Sequence, residues 1–192
     1  MLYAASGEEL NTKLIKGALI GGLIAFIWMN ISWMVLPWHF MTISTLEDEA
    51  PLAESLKNNV PENGLYILPW TTDKSKEGME AFNKKMEVGP YAYMVVHPNG
   101  FSQSMPKMMF FGLLFNVLVA FMLTYLVSKA SGLTYFQKVR FIKLAALAGA
   151  LIIVVPNLIW WQFPLAYSLI TLIDAGITWG LAGLEILKIV KS

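Results

Sequence analysis

The residue in this sequence that is the strongest candidate for a chemical role is Asp174, which lies inside the last long apolar run, residues 165–190. A carboxylate is costly to place in hydrocarbon, so it should face protein or water, and it marks a candidate functional site. Each of the three earlier apolar runs carries one interior amide: Asn30, Asn116 and Asn157. With ~1.5 Å of rise per residue, all four groups fall roughly 18 to 22 Å from the cytoplasmic ends of their helices. We predict that they form one polar layer inside the membrane.

This polar layer has two possible roles, and the sequence leaves both open. In the first, the amides and the carboxylate form hydrogen bonds between helices, each worth only about 0.6 kcal/mol on average. In the second, Asp174 titrates or binds a cation in a polar cavity that opens outward. Thr171, Thr178 and Glu185 recur close to the same helical face as Asp174, which favours the second role.

Other kinds of chemical site find little support in the sequence. His39 and His97 have methionines nearby, but no histidine repeat accompanies them, so no metal site or haem is expected. The chain has no cysteine, no G-x-S-x-G or S-x-x-K motif and no nucleotide-binding loop. A net charge of +1 gives no argument for nucleic acid. We therefore predict no catalytic residue, no metal and no cofactor.

Small residues repeat at a spacing that lets helix backbones approach each other. Gly17 and Gly21 form a G-x-x-x-G pair in the first apolar run, and Gly176 and Gly180 form another in the last. Such pairs support close packing, either within one bundle or between chains. We predict that these four glycines are helix-packing residues.

The elements that must position these residues follow from the hydropathy pattern. The composition is 56% hydrophobic and 14% charged, against about a quarter charged in ordinary soluble domains. The apolar residues gather into four membrane-length runs, at residues 14–38, 106–127, 141–161 and 165–190. The sequence therefore predicts a mainly α fold: a polytopic, four-helix transmembrane bundle.

The domain organisation follows from the one long polar insertion. We expect an N-terminal segment with the first helix at 1–40, a small α+β extracytoplasmic cap at 41–105, and helices 2–4 at 106–192, with a basic cytoplasmic connection at 128–143. Within the cap, helices are expected at 47–57 and 76–86 and strands at 65–69 and 91–96. A cap of this size has a marginal core. It should therefore lean on the helices or on a partner.

Charge and aromatic residues predict the orientation. The long insertion is acidic, whereas eight of the 14 basic residues flank the spans on one side. These eight are Lys13, Lys16, Lys129, Lys138, Arg140, Lys143, Lys188 and Lys191. The positive-inside rule then places both termini in the cytoplasm and the cap outside. Rings typical of membrane interfaces follow the first and third spans: Trp38, Trp160, Trp161 and Phe163.

Four segments carry a resemblance to a known group of proteins. They read SWMVLPWH at 32–39, ENGLYILP at 62–69, GPYAYMVVHPNG at 89–100 and VPNLIWWQFP at 155–164. The chain resembles a family of small, uncharacterised, four-span proteins of the bacterial inner membrane. The resemblance implies an L-P-W-H corner after the first helix, an outer segment with a G-P-x6-H-P strand and turn, and an aromatic F-P turn. It implies no activity.

These observations favour a non-enzymatic function. We expect an accessory or scaffold subunit that contacts membrane lipid and either packs against other membrane subunits or self-associates. The alternative is a small ion- or proton-coupled transporter or channel that uses the layer of Asn30, Asn116, Asn157 and Asp174. A third possibility is a membrane enzyme or quinone-binding protein that uses the region of Trp160 and Trp161.

Overall fold

The chain is mainly helical, and the computed structural model describes residues 7–191. Residues 1–6 of the predicted N-terminal segment, and Ser192, lie outside the described residues. In chain order the elements are α1 (Gly7–Met34), a 3-10 turn (Phe40–Thr42), α2 (Ala50–Asn59), β1 (Gly64–Leu68), α3 (Lys76–Val88), β2 (Ala92–Val96), α4 (Met105–Lys129), α5 (Tyr135–Ile159) and α6 (Leu165–Lys191).

Four of these helices are long and apolar enough to cross a membrane. The candidate spans are Asn11–Met34, Met105–Lys129, Tyr135–Ile159 and Leu165–Ile189. The expectation of a mainly helical chain with four membrane-length helices is confirmed.

The helix α5 begins earlier than residue 141, where its span was predicted to start. Thr134 and Gln137 form a capping box, in which the Thr134 Oγ1 atom accepts from the Gln137 N–H and the Gln137 side chain accepts from the Thr134 N–H at 2.8 Å. Such a box satisfies two backbone donors at a helix start. Lys138, Arg140 and Lys143 therefore lie in the first turns of α5.

The helices α1 and α6 form the central pair of the helical arrangement. Helix α1 packs along both α4 and α6, and α6 also packs along α5, whereas α4 and α5 make few contacts with each other. The buried core between them contains Ala25, Ala120, Leu123, Val127, Ile142, Ala182, Ile186 and Leu187. In the most apolar segment of α5 only 11% of the residues are buried, against 33% in the corresponding segments of α1 and α6. Most of the α5 surface is therefore exposed to whatever surrounds the protein.

The chain divides into two compact units. The helical unit is Met1–Ser44 together with Ser104–Ser192, and the inserted unit is Thr45–Gln103. In the inserted unit, β1 and β2 pair antiparallel from Gly64 opposite Val96 to Leu68 opposite Ala92. The two strands predicted from the sequence thus form a two-stranded sheet.

The start of α3 in the inserted unit is fixed by local hydrogen bonds. The Ser75 Oγ atom accepts from the Gly78 N–H at 3.0 Å, and the Asp73 Oδ1 atom accepts from the Ser75 N–H at 2.9 Å. Hydrogen bonds from the side chain and the backbone of Ser75 hold the pKa of Asp73 below its usual value. A serine cap of this type satisfies a backbone donor in the first helical turn.

Candidate functional site

The end of α1 and the turn after it bring polar side chains against α6. Helix α1 ends at Met34, shortly before Pro37, because the residue before a proline is disfavoured in the α conformation. The chain then bends, and five side chains meet. We name them the Asp174 cluster: Trp28 and Ser32 of α1, Trp38 and His39 of the following turn, and Asp174 of α6.

Both carboxylate oxygens of Asp174 have a partner in this cluster. The Trp28 Nε1–H donates to Oδ1 at 2.7 Å, and the His39 Nε2 atom lies 3.2 Å from Oδ2. Asp174 is 7% exposed and His39 is 2% exposed. The carboxylate is therefore held by groups of α1 and its turn, and water has little access to it.

The imidazole of His39 also contacts Ser32 and is enclosed by rings. The Ser32 Oγ atom lies 3.0 Å from His39 Nε2 and accepts a hydrogen bond from Trp38 Nε1–H, also at 3.0 Å. The Trp33 ring stacks on the imidazole, with centroids 3.9 Å apart and planes 7° from parallel. Trp38 approaches the imidazole edge-on, with centroids 5.7 Å apart. These contacts fix both the position and the plane of the imidazole.

The hydrogen bonds define which proton positions satisfy the cluster. Trp28 can only donate, so Asp174 Oδ1 must accept. With its proton on Nε2, His39 donates to Asp174 Oδ2 and leaves Nδ1 as a bare acceptor. Within residues 7–191, Nδ1 of His39 is the one buried side-chain nitrogen or oxygen that has no hydrogen-bond partner. The opposite tautomer would bury an N–H without an acceptor, which is costly.

A serine, a histidine and an aspartate meet here, but they do not form a nucleophilic triad. In a triad, one imidazole nitrogen contacts the serine and the other contacts the carboxylate. Here Ser32 and Asp174 both face Nε2 of His39. Ser32 is also fully buried. The arrangement can hold α1 to α6 and can share a proton between His39 and Asp174, but it offers no exposed nucleophile.

The predicted polar layer is divided in the structure. The Asn30 Nδ2 atom donates to the carbonyl of Phe26 at 2.7 Å, and the Asn116 Nδ2 atom donates to the carbonyl of Gly112 at 2.8 Å. Both amides line one groove between α1 and α4. Asn157 is half-buried on α5. Among residues 7–191, no hydrogen bond joins the side chains of any two of Asn30, Asn116, Asn157 and Asp174.

The predicted packing glycines have different surroundings. A Cβ atom on Gly17 would lie 2.7 Å from Thr124, and one on Gly21 would lie 2.6 Å from Ile186, so both glycines pack within the chain. A Cβ on Gly176 would meet the Lys143 side chain at 3.4 Å, whereas one on Gly180 would meet nothing within 4 Å.

A glycine outside the predicted pairs makes the tightest approach to a neighbouring backbone. A Cβ atom on Gly22 would lie 2.5 Å from the Cα atom of Val117. Helices α1 and α4 therefore cross with their backbones in close contact at Gly22.

The predicted interface rings also differ in environment. Trp38 belongs to the Asp174 cluster and donates to Ser32. Trp160 is 75% exposed. Trp161 and Phe163 are half-buried, and the Phe163 ring contacts the Tyr167 ring with centroids 5.9 Å apart.

Sequence reasoning singled out Asp174 but missed three residues of its cluster. Trp28 and Ser32 are four residues apart, which places them on one face of α1, and His39 directly follows Pro37-Trp38. The signal in the sequence was the polar face of α1 followed by a proline turn. The contact of His39 with Asp174 joins residues separated by 135 positions.

Comparison of the chain with protein-family models, curated proteins and solved structures finds no match. The resemblance to small four-span bacterial membrane proteins therefore stays a prediction.

Proposed function

We propose that this chain is a non-enzymatic, multi-pass subunit of a bacterial inner-membrane protein complex, and that the inserted unit binds its partner. One observation carries the proposal: the inserted unit has almost no interior. Of its residues, only Pro69 and Val96 are buried, and neither α2 nor α3 contains a buried residue. A segment of this size gains little stability from so small a core.

The same unit exposes large apolar side chains. Leu65 and Val95 are directly opposite on the two strands and are 56% and 71% exposed. Further exposed apolar residues of this unit are Leu46, Leu52, Leu68, Trp70, Met86, Val88 and Phe101. Exposed apolar surface of this extent is typical of interaction sites. A partner protein that covers the Leu65–Val95 pair would supply the missing core.

The orientation in this proposal comes from the distribution of charge. Basic residues lie near the start of α1, in the first turns of α5 and near the end of α6. By the positive-inside rule, these ends face the cytoplasm and the inserted unit faces the periplasm. The exposed surface of α5 then faces lipid or a neighbouring subunit.

The proposal predicts a partner that depends on the exposed apolar pair. Crosslinking in intact cells, followed by mild-detergent purification and mass spectrometry, should recover a stoichiometric membrane protein with crosslinks to residues 45–103. The double variant Leu65→Thr/Val95→Thr should reduce this recovery about tenfold or more, because it removes apolar contact while threonine keeps strand propensity.

The matched control is Lys84→Gln, an exposed change on α3 that leaves the apolar surface intact. It should retain the partner, and equal thermal midpoints for both variants would exclude unfolding as the cause. A lone monomer in crosslinked cells, or equal partner recovery with the double variant, would contradict the proposal.

A second function has one observation in its favour. The contact of 3.2 Å between His39 Nε2 and Asp174 Oδ2 lets a proton move between a base and a carboxylate inside the helical unit. This geometry is the kind used in proton-coupled transport. It concerns Asp174 alone, because Asn30 and Asn116 bond to their own helices.

The transport function predicts a proton flux that depends on this contact. Proteoliposomes with an internal pH dye should take up protons under an imposed membrane potential. Asp174→Asn should lower the rate of this proton uptake at least about tenfold, since an amide cannot carry the proton. Asn157→Ala should leave the uptake unchanged. Absence of uptake by the wild-type protein would eliminate this function.

A further inference from the structure

A groove between α1 and α4 is separate from the Asp174 cluster and carries a second inference. It lies beside the crossing of Gly22 and Val117, where the two backbones are in close contact. We call it the amide groove. Its lining residues are Phe26, Met29, Asn30, Trp33, Met34, Met105, Met108, Met109, Gly112 and Asn116.

The position of the amide groove determines how a ligand would reach it. All of its lining residues lie within the candidate spans Asn11–Met34 and Met105–Lys129. We therefore expect a molecule dissolved in the bilayer to enter the groove from the side. No charged side chain is among the lining residues. The groove thus offers no ion pair to a phosphate or a carboxylate.

The two amides in the groove retain hydrogen-bonding capacity. Each uses one N–H to bond the carbonyl four residues earlier on its own helix. An asparagine has a second N–H and an acceptor oxygen, and within the described chain no protein group bonds either of them in Asn30 or Asn116. Asn116 is only 7% exposed. The amide oxygens of Asn30 and Asn116 are not fully enclosed, since Nδ1 of His39 is the one enclosed side-chain nitrogen or oxygen without a partner among residues 7–191. A ligand in the groove can therefore reach them.

The remaining lining groups indicate a planar ligand. Phe26 and Trp33 present rings, and Trp33 is already held in plane by its stacking on His39. The methionines supply flexible, polarizable contacts that adapt to the faces and edges of a ring. Gly112 lets the Phe26 ring approach α4, since a Cβ atom there would lie 3.5 Å from that ring.

We propose that the amide groove binds the headgroup of a lipid-soluble quinone, with the N–H groups of Asn30 and Asn116 donating to its carbonyl oxygens. The aromatic and methionine side chains contact the ring, and the apolar tail remains in the bilayer. This inference is independent of the partner-binding function of the inserted unit.

The test uses the full-length protein in phosphatidylcholine nanodiscs and a benzoquinone with a decyl tail as the probe. Bound quinone should quench tryptophan fluorescence in a saturable way that empty nanodiscs with added free tryptophan do not reproduce. Asn116→Ala removes the hydrogen bonds without filling the groove, and it should raise the dissociation constant about tenfold. Asn30→Ala should act in the same direction.

The matched control is Asn157→Ala, which removes an intramembrane amide on α5 away from the groove. It should bind the probe as the wild type does, and thermal melts should show that all variants are folded. Binding that is saturable but insensitive to both Asn116→Ala and Asn30→Ala would overturn the headgroup assignment. Quenching that never saturates would overturn the site itself.

Discussion

Asp174→Ala should lower the free energy of unfolding by about 3 kcal/mol, because it removes the acceptor of two buried N–H donors and leaves both unsatisfied. The Trp28 Nε1–H and the His39 Nε2–H both lose their acceptor, and the carboxylate they share is only 7% exposed. Reversible unfolding in mixed detergent micelles, followed by circular dichroism, measures this difference.

Asp174→Asn should lower the free energy of unfolding by less than Asp174→Ala does, because the amide keeps one of the two hydrogen bonds. The amide oxygen can still accept from Trp28, while the amide N–H can donate to His39 only if the imidazole proton moves to Nδ1. That nitrogen has no partner, so the buried N–H keeps part of the penalty, about 1 to 2 kcal/mol.

Two further measurements distinguish the loss of contacts in the Asp174 cluster from the effect of removing any polar group inside the helical unit. Asn157→Ala removes a polar group from α5 outside the cluster and should change stability by less than ~0.5 kcal/mol. A double-mutant cycle between Asp174→Ala and His39→Ala should give a coupling energy of about 1 to 2 kcal/mol. Equal effects of Asp174→Ala and Asn157→Ala would show that the cluster does not hold α1 to α6.

Gly22→Ala is expected to destabilise the helical unit by about 2 to 3 kcal/mol. The added methyl group would lie 2.5 Å from the Cα atom of Val117 and 2.7 Å from its backbone nitrogen. Because these are backbone atoms, no side-chain rotation relieves the clash, and α1 and α4 must move apart. The same unfolding measurement detects the effect.

Two other glycines serve as controls for Gly22→Ala, one in open space and one that faces side chains. Gly149→Ala adds a methyl group where nothing lies within 4 Å, and it should be neutral or slightly stabilising because alanine favours a helix over glycine. The methyl group of Gly21→Ala would clash with side-chain atoms of Ile186 at 2.6 Å and would make an ordinary contact with the Ala120 Cβ atom at 3.4 Å. Ile186→Val should therefore partly rescue it, whereas Val117→Ala should not rescue Gly22→Ala. A Gly22→Ala protein as stable as Gly149→Ala would disprove the close crossing.

The sequence predicts the long helices well because their signal is local. A run of apolar residues long enough to span hydrocarbon is visible in any window, and all four runs are membrane-length helices in the structure. The ends are less accurate because they depend on side chains that cap. The capping box of Thr134 and Gln137 starts α5 before its apolar run begins.

The candidate site was only partly predictable, because its contacts join distant parts of the chain. Asp174 stands out as the acid in an apolar run, but its partners depend on how the turn at Pro37 directs His39. The rise per residue along a helix gives the depth of each of the four polar residues but not the direction of its side chain. Two of the amides bond to their own helices. Similarly, the G-x-x-x-G spacing does not include Gly22, whose close approach depends on where α4 crosses.

The central position of α1 sets the order in which the protein can assemble during synthesis. Trp28 and Asp174 are 146 residues apart, so at ribosomal rates of 5–20 residues per second the carboxylate emerges about 7 to 30 s after the indole it binds. Until then α1 can pair only with α4, through Gly22 and Val117. We therefore expect α1 and α4 to pair first, and the Asp174 cluster to form only after the last helix arrives.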